Sequence, residues 1–236
     1  MEQPAFEPVE TMDLTAGEPC LDFVNTGSRL VQRFAGLEGE ALEAAGPFGD
    51  RLRSYADLVT FAERTGVVDA ELGRRLRVRS SADEAGSAAV LAGARALREA
   101  MFRVFVRGDE SAITAAAEPA SAVVVEEPEI AAQDLALLHG AAAAAAARQQ
   151  LVRTADGYAL QWPAEPDLER VLWPLATAAV SLLVSADAGR VKECAGHDCN
   201  WLFLDSSRNR SRRWCDMKAC GNRAKARQYY HRHQGG

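Results

Sequence analysis

Four of the five cysteines lie close together near the end of the chain, and this cluster limits what the last part of the chain can fold into. The spacing is Cys194-x4-Cys199-x15-Cys215-x4-Cys220. Two close pairs of thiols supply the four soft ligands of a tetrahedral zinc ion, and clustered cysteines without a secretory signal are better explained by metal than by disulfides. We therefore predict that these four cysteines hold one Zn²⁺.

The predicted zinc site is closed and structural. A catalytic zinc usually keeps one position open for water, whereas four cysteines fill every position. Three histidines, His197, His231 and His233, could each replace one cysteine, but the all-cysteine shell is the simpler arrangement. The remaining cysteine, Cys20, stands apart and is expected to be a small buried hydrophobic residue. No nucleophile is paired with a base and no phosphate-binding glycine loop is present, so we do not expect an enzyme.

The segment between the two cysteine pairs is long enough for a strand, a turn and a second strand. Residues 200–204 predict a short aromatic strand, and a polar loop follows it. A module this small has almost no core of its own, so metal must supply much of its folding free energy. We expect Trp201, Phe203 and Trp214 to form its miniature core. Helical propensity after Cys220 predicts a terminal helix.

Charge divides the chain into two unequal parts. Residues 190–236 hold 11 Lys/Arg against 4 Asp/Glu, a balance of +7, whereas the other 189 residues hold 16 against 29, a balance of −13. Clustered cations gain affinity for nucleic acid by displacing counterions from phosphates, although a basic segment can also be no more than a solvated face. The tail is therefore a candidate nucleic-acid interface.

Most of the front of the chain follows a helical pattern. A turn followed by a helix is expected within residues 14–26, a loop at 36–49 and a short strand at 122–125. An Asp-Gly turn at 156–157 between two alternating runs predicts a β-hairpin. Pro174 is expected to kink the last helix of this part. Hydrophobic periodicity predicts helices over residues 52–62, 69–78, 83–106, 129–151 and 167–186.

The tail resembles a known zinc finger. Cys220-Gly221-Asn222-Arg223, preceded by residues 201–205 and 212–215, is similar to the CGNR zinc finger, which is named for that tetrapeptide. Residues 20–26 and 97–100 resemble the ABATE domain, which the family places ahead of this finger. The resemblance implies a stress-induced transcription regulator with a helical sensing domain and a DNA-binding finger. It also implies that the four cysteines are zinc ligands.

These inferences together predict a mainly α protein. A helical ligand-sensing domain with a small β-hairpin is expected over residues 1–189, and a treble-clef or ribbon-like zinc finger ending in a helix over 190–236. No apolar run is long enough for a membrane span and no signal peptide is apparent, so a cytoplasmic protein is expected. The sequence leaves the oligomeric state open, and a homodimer is compatible with it.

The leading functional hypothesis is DNA binding for transcription regulation, with most cations on phosphates. Asn222 and Arg223 could meet base edges, although Asn222 suits a helix cap or turn better. An alternative is a zinc-ribbon protein that binds RNA by stacking bases on Tyr229, Tyr230 and Trp201, in which case those rings would be exposed. The predicted nucleic-acid contacts are Arg208, Arg210, Arg212, Arg213, Asn222, Arg223, Lys225 and Arg227.

A second predicted site lies in the helical domain. Asp22, Asn25 and Arg98 are polar residues in apolar surroundings, and we predict that they bind a small polar or acidic effector. Asx turns or a helix cap would also account for Asp22 and Asn25, and a buried salt bridge would account for Arg98.

Overall fold

The computed structural model describes residues 8–27, 50–107, 132–196 and 199–233, with side chains through residue 230. The predicted loop at 36–49 and the predicted strand at 122–125 lie outside these ranges. The predicted class, a mainly helical protein with small hairpins and a cysteine cluster followed by a helix, is confirmed. The described helices are α1 Pro19–Val24, α2 Tyr55–Arg64, α3 Ala70–Ala82, α4 Glu84–Arg107, α5 Ala132–Ala147, α6 Trp173–Leu183 and α7 Asn222–His233.

The first long helices begin and end at residues that the local sequence marks. Ser54 caps α2 in a reciprocal capping box, in which its hydroxyl accepts from the Asp57 amide at 3.2 Å and the Asp57 carboxylate accepts from the Ser54 amide at 2.7 Å. Gly66 follows the end of α2 and has a left-handed backbone conformation, with φ of 73°, which is typical of a glycine that ends a helix. Asp69 caps α3 by accepting from the Leu72 amide at 2.7 Å. The predicted boundaries of this region are therefore confirmed to within a few residues.

Helices α1 to α6 pack their apolar faces into one core. The central helix α6 is apolar nearly all round and contributes Leu175, Ala176 and Ala179, none of which is exposed. An ion pair between Arg103 and Asp134, with both donor–acceptor distances at 2.7 Å, joins α4 to α5. None of the described helices is long and apolar enough to cross a membrane.

The expected kink at Pro174 is wrong. A 3₁₀ turn, Leu168–Val171, precedes α6, and Pro174 occupies the first turn of the helix. A proline in the first turn removes an amide that has no intrahelical partner, so it starts the helix rather than bending it.

Two antiparallel hairpins complete the described structure. Strands β1, Gln150–Thr154, and β2, Gly157–Gln161, pair with Leu151 opposite Leu160, and Gly157 takes φ of 133° in the predicted Asp-Gly turn. Strands β3, Val191–Glu193, and β4, Leu202–Leu204, pair with Lys192 opposite Phe203. This second hairpin encloses the first cysteine pair, so only one strand, β4, lies between the two pairs, although the segment is long enough for two.

The β3–β4 hairpin packs on the helices. Val191 and Leu202 belong to the same buried cluster as the residues of α1, α4 and α6, and Leu204 packs against it. The boundary predicted at residues 189 and 190 stays a prediction, but apolar burial is continuous across it.

Candidate metal centre and basic surface

The four cysteines come from three separate pieces of backbone. Cys194 directly follows β3, and Cys199 lies in the connection between β3 and β4. Cys215 follows the long loop after β4, and Cys220 lies in a π-helical turn, Met217–Gly221, that leads into α7. The hairpin, the loop and the helix are therefore tied together at one point.

The sulfur atoms have the spacing that a tetrahedral metal requires. All four lie within 4.8 Å of one another, with 3.6 Å between the Cys199 and Cys215 sulfurs and 3.7 Å between those of Cys215 and Cys220. Four ligands at about 2.3 Å from a central zinc would be separated by about 3.8 Å. Cys194, Cys215 and Cys220 are buried and Cys199 is half-buried, so the cluster forms a metal-binding site shielded from water.

Hydrogen-bond donors other than thiols contact two of the four sulfurs. The amides of Gly196 and Cys215 donate to Cys194 Sγ at 3.4 and 3.3 Å, and Arg223 Nη2 donates to Cys220 Sγ at 3.1 Å. The pKa of Cys194 lies far below its ordinary value because the Cys199 and Cys215 thiols, and to a smaller extent the amides of Cys215 and Gly196, donate to its sulfur, and the pKa values of those two donor thiols are raised in turn. Donors of this kind offset the net charge of a metal held by four thiolates.

The space around the cluster is tight at Gly196. A Cβ on Gly196 would lie 3.2 Å from Cys199 Cβ and 3.3 and 3.4 Å from two of the ligand sulfurs. A glycine lets the backbone approach the sulfurs closely enough for its amide to donate. His197 lies outside the described residues, and within them only the four cysteines form a metal-binding group.

The predicted aromatic core of the finger is present. Phe203 is fully buried among the cysteines, and Trp201 and Trp214 are half-buried against the same cluster. The Arg213 guanidinium lies over the Trp214 ring at 5.5 Å. These rings pack the metal centre, as the sequence predicts for a module with little apolar surface.

Asp205 organises the loop that follows β4. Its buried carboxylate accepts from Lys192 Nζ at 2.7 Å, from the Ser207 amide and hydroxyl, and from the Arg212 amide at 3.1 Å. Burial alone would raise the pKa of Asp205, but the Lys192 and Ser207 hydrogen bonds outweigh it and hold the pKa well below its ordinary value. Sequence reasoning missed this residue, although an Asp two residues before a Ser is a recognised turn signal.

Arg212 does not have the free guanidinium that a phosphate contact needs. Its Nε donates to the Trp214 carbonyl at 2.9 Å, its Nη1 to the Leu204 carbonyl at 3.4 Å, and its Nη2 to the carbonyls of Thr15, at 3.0 Å, and Cys215. The guanidinium also lies 4.4 Å from the Phe203 ring centroid. Four of its five N–H donors are thus used within the fold, so Arg212 is poorly placed for the predicted nucleic-acid contact, which stays a prediction.

The other predicted nucleic-acid contacts are solvent-exposed. Helix α7 packs against the π-helical turn that precedes it, and its described side chains are exposed except that of Ala224. Tyr229 and Tyr230 are 61% and 64% exposed, which is the arrangement that the RNA alternative requires, whereas Trp201 is half-buried. The exposed residues are Arg208, Arg210, Arg213, Asn222, Arg223, Lys225 and Arg227.

Asn222 does not cap the terminal helix. The capping residue is Asp216, whose carboxylate accepts from the Ala219 amide at 2.7 Å at the start of the π-helical turn. Asn222 follows this turn with helical φ and ψ of −68° and −39°, so it is already inside the helical segment. Asn222 instead caps the C-terminal end of this π-helical turn, where its backbone amide donates to the Ala219 and Met217 carbonyls, and its side chain is exposed.

The three predicted effector residues all have partners within the protein. Asp22 Oδ1 accepts from the Ala16 amide at 3.1 Å. Asn25 bonds both to the amide and to the carbonyl of Leu202, at 2.8 and 2.9 Å. Arg98 forms an ion pair with Asp50 at 2.6 Å and donates to Thr26 at 3.1 Å. Their effector-binding role stays a prediction.

Asp22 gives a test of how burial affects stability. Burial raises the pKa of Asp22 from 3.8 to about 6, although amides of Ala16 and Thr15 partly oppose the change. Between these values the folded state retains a proton that the unfolded state loses, so stability falls as pH rises and levels off above pH 6. We expect deprotonation of this group to lower the free energy of unfolding by about 1 kcal/mol from pH 5 to pH 7. Urea unfolding of wild type and Asp22→Asn at both pH values measures it, and an equal pH dependence in the two proteins would contradict it.

A helical bundle joined to a four-cysteine finger with a basic terminal helix defines a metal-binding zinc-finger protein. Comparison with family models agrees in both parts of the chain. A model described as "CGNR zinc finger" matches residues 190–233, and the ABATE model, described as "Putative stress-induced transcription regulator", matches residues 17–186. The chain belongs to the ABATE family, with a CGNR zinc finger behind the family domain. No curated protein matches the chain significantly.

Proposed function

We propose that the protein binds one Zn²⁺ through its four cysteines and uses the finger to bind duplex DNA as a transcription regulator. The observation that carries the proposal is helix α7, a basic helix attached to the metal centre. Its described side chains are exposed on all sides apart from Ala224. A helix that is polar all round gains little from tertiary packing, so its sequence is better explained by a partner that it contacts.

The charges of the finger support an anionic partner. Among its described acidic residues, Asp205 is buried against Lys192, Asp216 accepts from the Ala219 amide, and Glu193 is exposed at the end of β3. The described cations of the loop and of α7 are exposed apart from the half-buried Arg212. The exposed cations of the finger therefore outnumber its exposed carboxylates, and such a surface attracts phosphate.

The dimensions of α7 suit a DNA groove. A helix of 12 residues is about 18 Å long, and the major groove admits one α-helix. The metal centre fixes its first turn through Cys220, and Arg208, Arg210 and Arg213 would contact phosphates beside it. Arg223 has four N–H donors besides the one directed at Cys220 Sγ, so a base contact is compatible with its position.

RNA binding is a second candidate because two aromatic rings of α7 are exposed. Tyr229 and Tyr230 lie edge to face with centroids 6.2 Å apart. Exposed aromatic rings among cations suit stacking with unpaired bases. The half-buried Trp201 fits this candidate less well, since it packs on the cysteines.

The test is a salt titration of the zinc-loaded chain against duplex DNA and matched single-stranded RNA. We expect affinity for DNA to fall steeply as salt rises, because phosphate contacts release counterions. Replacing both Lys225 and Arg227 by Ala should reduce the slope of log affinity against log salt by about 1.8. Fluorescence anisotropy with labelled oligonucleotides measures both quantities.

A charge-matched control separates the finger from the overall charge of the protein. Arg74 and Arg153 are exposed cations of the helical domain, and replacing both by Ala changes the net charge equally. This control should leave the slope unchanged. Absence of binding to either nucleic acid at low salt would reject the proposal, and a clear preference for RNA would favour the second candidate.

Regulation by an effector and a role in stress responses are further parts of this proposal. They are supported by the description of the family and by the buried polar residues of the helical domain. An effector at Asp22, Asn25 and Arg98 would have to replace hydrogen bonds that these residues make within the protein.

A further inference from the structure

Strand β4 of the finger is hydrogen-bonded on both edges. One edge pairs with β3. Along the other edge, the Leu204 amide donates to the Ala16 carbonyl at 2.7 Å, and the backbone of Leu202 bonds to the side chain of Asn25. The chain around α1 therefore takes the place of a third strand and covers an edge that would otherwise be unpaired.

Asn25 makes this contact with both groups of its amide. Its Nδ2 donates to the Leu202 carbonyl at 2.9 Å, and its Oδ1 accepts from the Leu202 amide at 2.8 Å. The side chain is fully buried, so bulk water does not reach either bond in the native fold. A buried backbone group left without a partner is costly, and here two such groups depend on one side chain.

Leu202 lies between the core of the bundle and the metal centre. Its side chain belongs to the main buried cluster, while the neighbouring Trp201 carbonyl accepts from the amide of the metal ligand Cys194 at 2.8 Å. On the side of the bundle, Arg51 Nη1 donates to the Asn25 carbonyl at 3.3 Å, and the Arg51 guanidinium lies 5.4 Å from the Trp201 ring centroid. Bonds thus run continuously from the bundle to a cysteine.

We infer that Asn25 is a positioning residue that fixes the zinc-loaded metal centre on the helical bundle and slows local opening of the finger. The finger is then not a freely hinged module. Loss of Asn25 would leave the amide and carbonyl of Leu202 unsatisfied within the native fold, and opening of the β3–β4 hairpin would restore their contact with water. The metal site would open locally and release its ion faster.

The experiment uses the full-length, zinc-loaded chain without nucleic acid, so its outcome is independent of DNA binding. Asn25→Ala is compared with wild type in two measurements: amide hydrogen exchange of a peptide covering residues 199–205, and the rate of zinc transfer to a chromogenic chelator. We expect both rates to rise about tenfold or more, since buried hydrogen bonds to the finger are lost.

The matched control is Tyr55→Phe. Tyr55 is buried, and its hydroxyl donates to the Leu168 carbonyl at 2.8 Å inside the bundle, so this variant also loses one buried side-chain bond to backbone. It should leave zinc transfer close to wild type. Asn25→Ser retains one hydrogen-bonding group, so its rates of amide exchange and zinc transfer should lie between those of Asn25→Ala and wild type. It replaces Asn25→Ala in the experiment if that variant does not fold. The inference would be overturned if zinc transfer were accelerated equally in Tyr55→Phe and in the Asn25 variants. It would also be overturned if amide exchange of residues 199–205 were unchanged in the Asn25 variants.

Discussion

Cys215→Ser is expected to abolish tight zinc binding and to unfold the finger. The Cys215 sulfur lies 3.6 and 3.7 Å from those of Cys199 and Cys220, its amide donates to Cys194 Sγ, and its carbonyl accepts from Arg212. Structural zinc sites contribute about 10–16 kcal/mol of apparent binding free energy at pH 7, which is more than the stability of most domains. Losing most of this term leaves a module with almost no core.

The measurements are zinc content by native mass spectrometry and limited proteolysis of the tail. Wild type should carry one equivalent of zinc and resist cleavage after Val191, whereas Cys215→Ser or wild type treated with a strong chelator should be cut there. The bundle should retain most of its helical circular dichroism signal. Its melting temperature should nevertheless fall, because Val191 and Leu202 leave the common core when the finger unfolds.

Cys20→Ala is the control for this prediction. Cys20 is fully buried in the bundle, and burial raises its pKa to about 12, so it stays a neutral thiol away from the metal cluster. This variant should retain a full equivalent of zinc. A full equivalent in Cys215→Ser together with a protease-resistant tail would contradict the assignment of the site.

The sequence was sufficient where local chemistry determines structure. Helix α2 could be predicted because its periodic apolar residues stop at Gly66, and the β1–β2 hairpin because Asp-Gly favours its turn. The metal site could be predicted in the same way, since two close cysteine pairs can meet without knowledge of the rest of the fold. The outcome at Pro174 shows the limit of local reasoning, because the effect of a proline depends on where the helix begins.

The connection between bundle and finger could not be predicted, because it joins residues far apart in the chain. Asn25 and Leu202 are separated by 177 positions, and neither has a pattern that identifies the other. Strand β3 has only three residues, Val191–Glu193, too few for alternation to be recognised. The sequence identifies Asn25 as a candidate effector residue because it is polar. In the fold its side chain points toward β4 and bonds to the backbone of Leu202.

The adjacent residues Arg212 and Arg213 illustrate the same limit. Both belong to one basic run and the sequence predicts one role for both. In the structure Arg212 turns inward to four carbonyls, whereas Arg213 is exposed beside Trp214. Composition predicts the charge of such a loop, but only tertiary packing decides which cation remains available.

Arg212→Ala is therefore expected to destabilise the protein by about 3 kcal/mol, because removal of a charged donor leaves several partly buried carbonyls unsatisfied. Arg213→Ala should change the free energy of unfolding by less than about 0.5 kcal/mol, as is usual for an exposed side chain. If the proposed DNA contact exists, Arg213→Ala should instead reduce the salt slope by about 0.9. Urea unfolding and the anisotropy titration measure the two effects separately.

Arg212→Lys decides whether geometry or charge is responsible for the stability. Lysine keeps the positive charge near the metal centre, but its ammonium has three donors at one point and cannot span carbonyls from Thr15 to Cys215 as a planar guanidinium does. We expect Arg212→Lys to lose most of the stability that Arg212→Ala loses. If Arg212→Lys has the stability of wild type, positive charge alone is sufficient at this position. If Arg213→Ala loses as much unfolding free energy as Arg212→Ala, the two arginines have the same structural role.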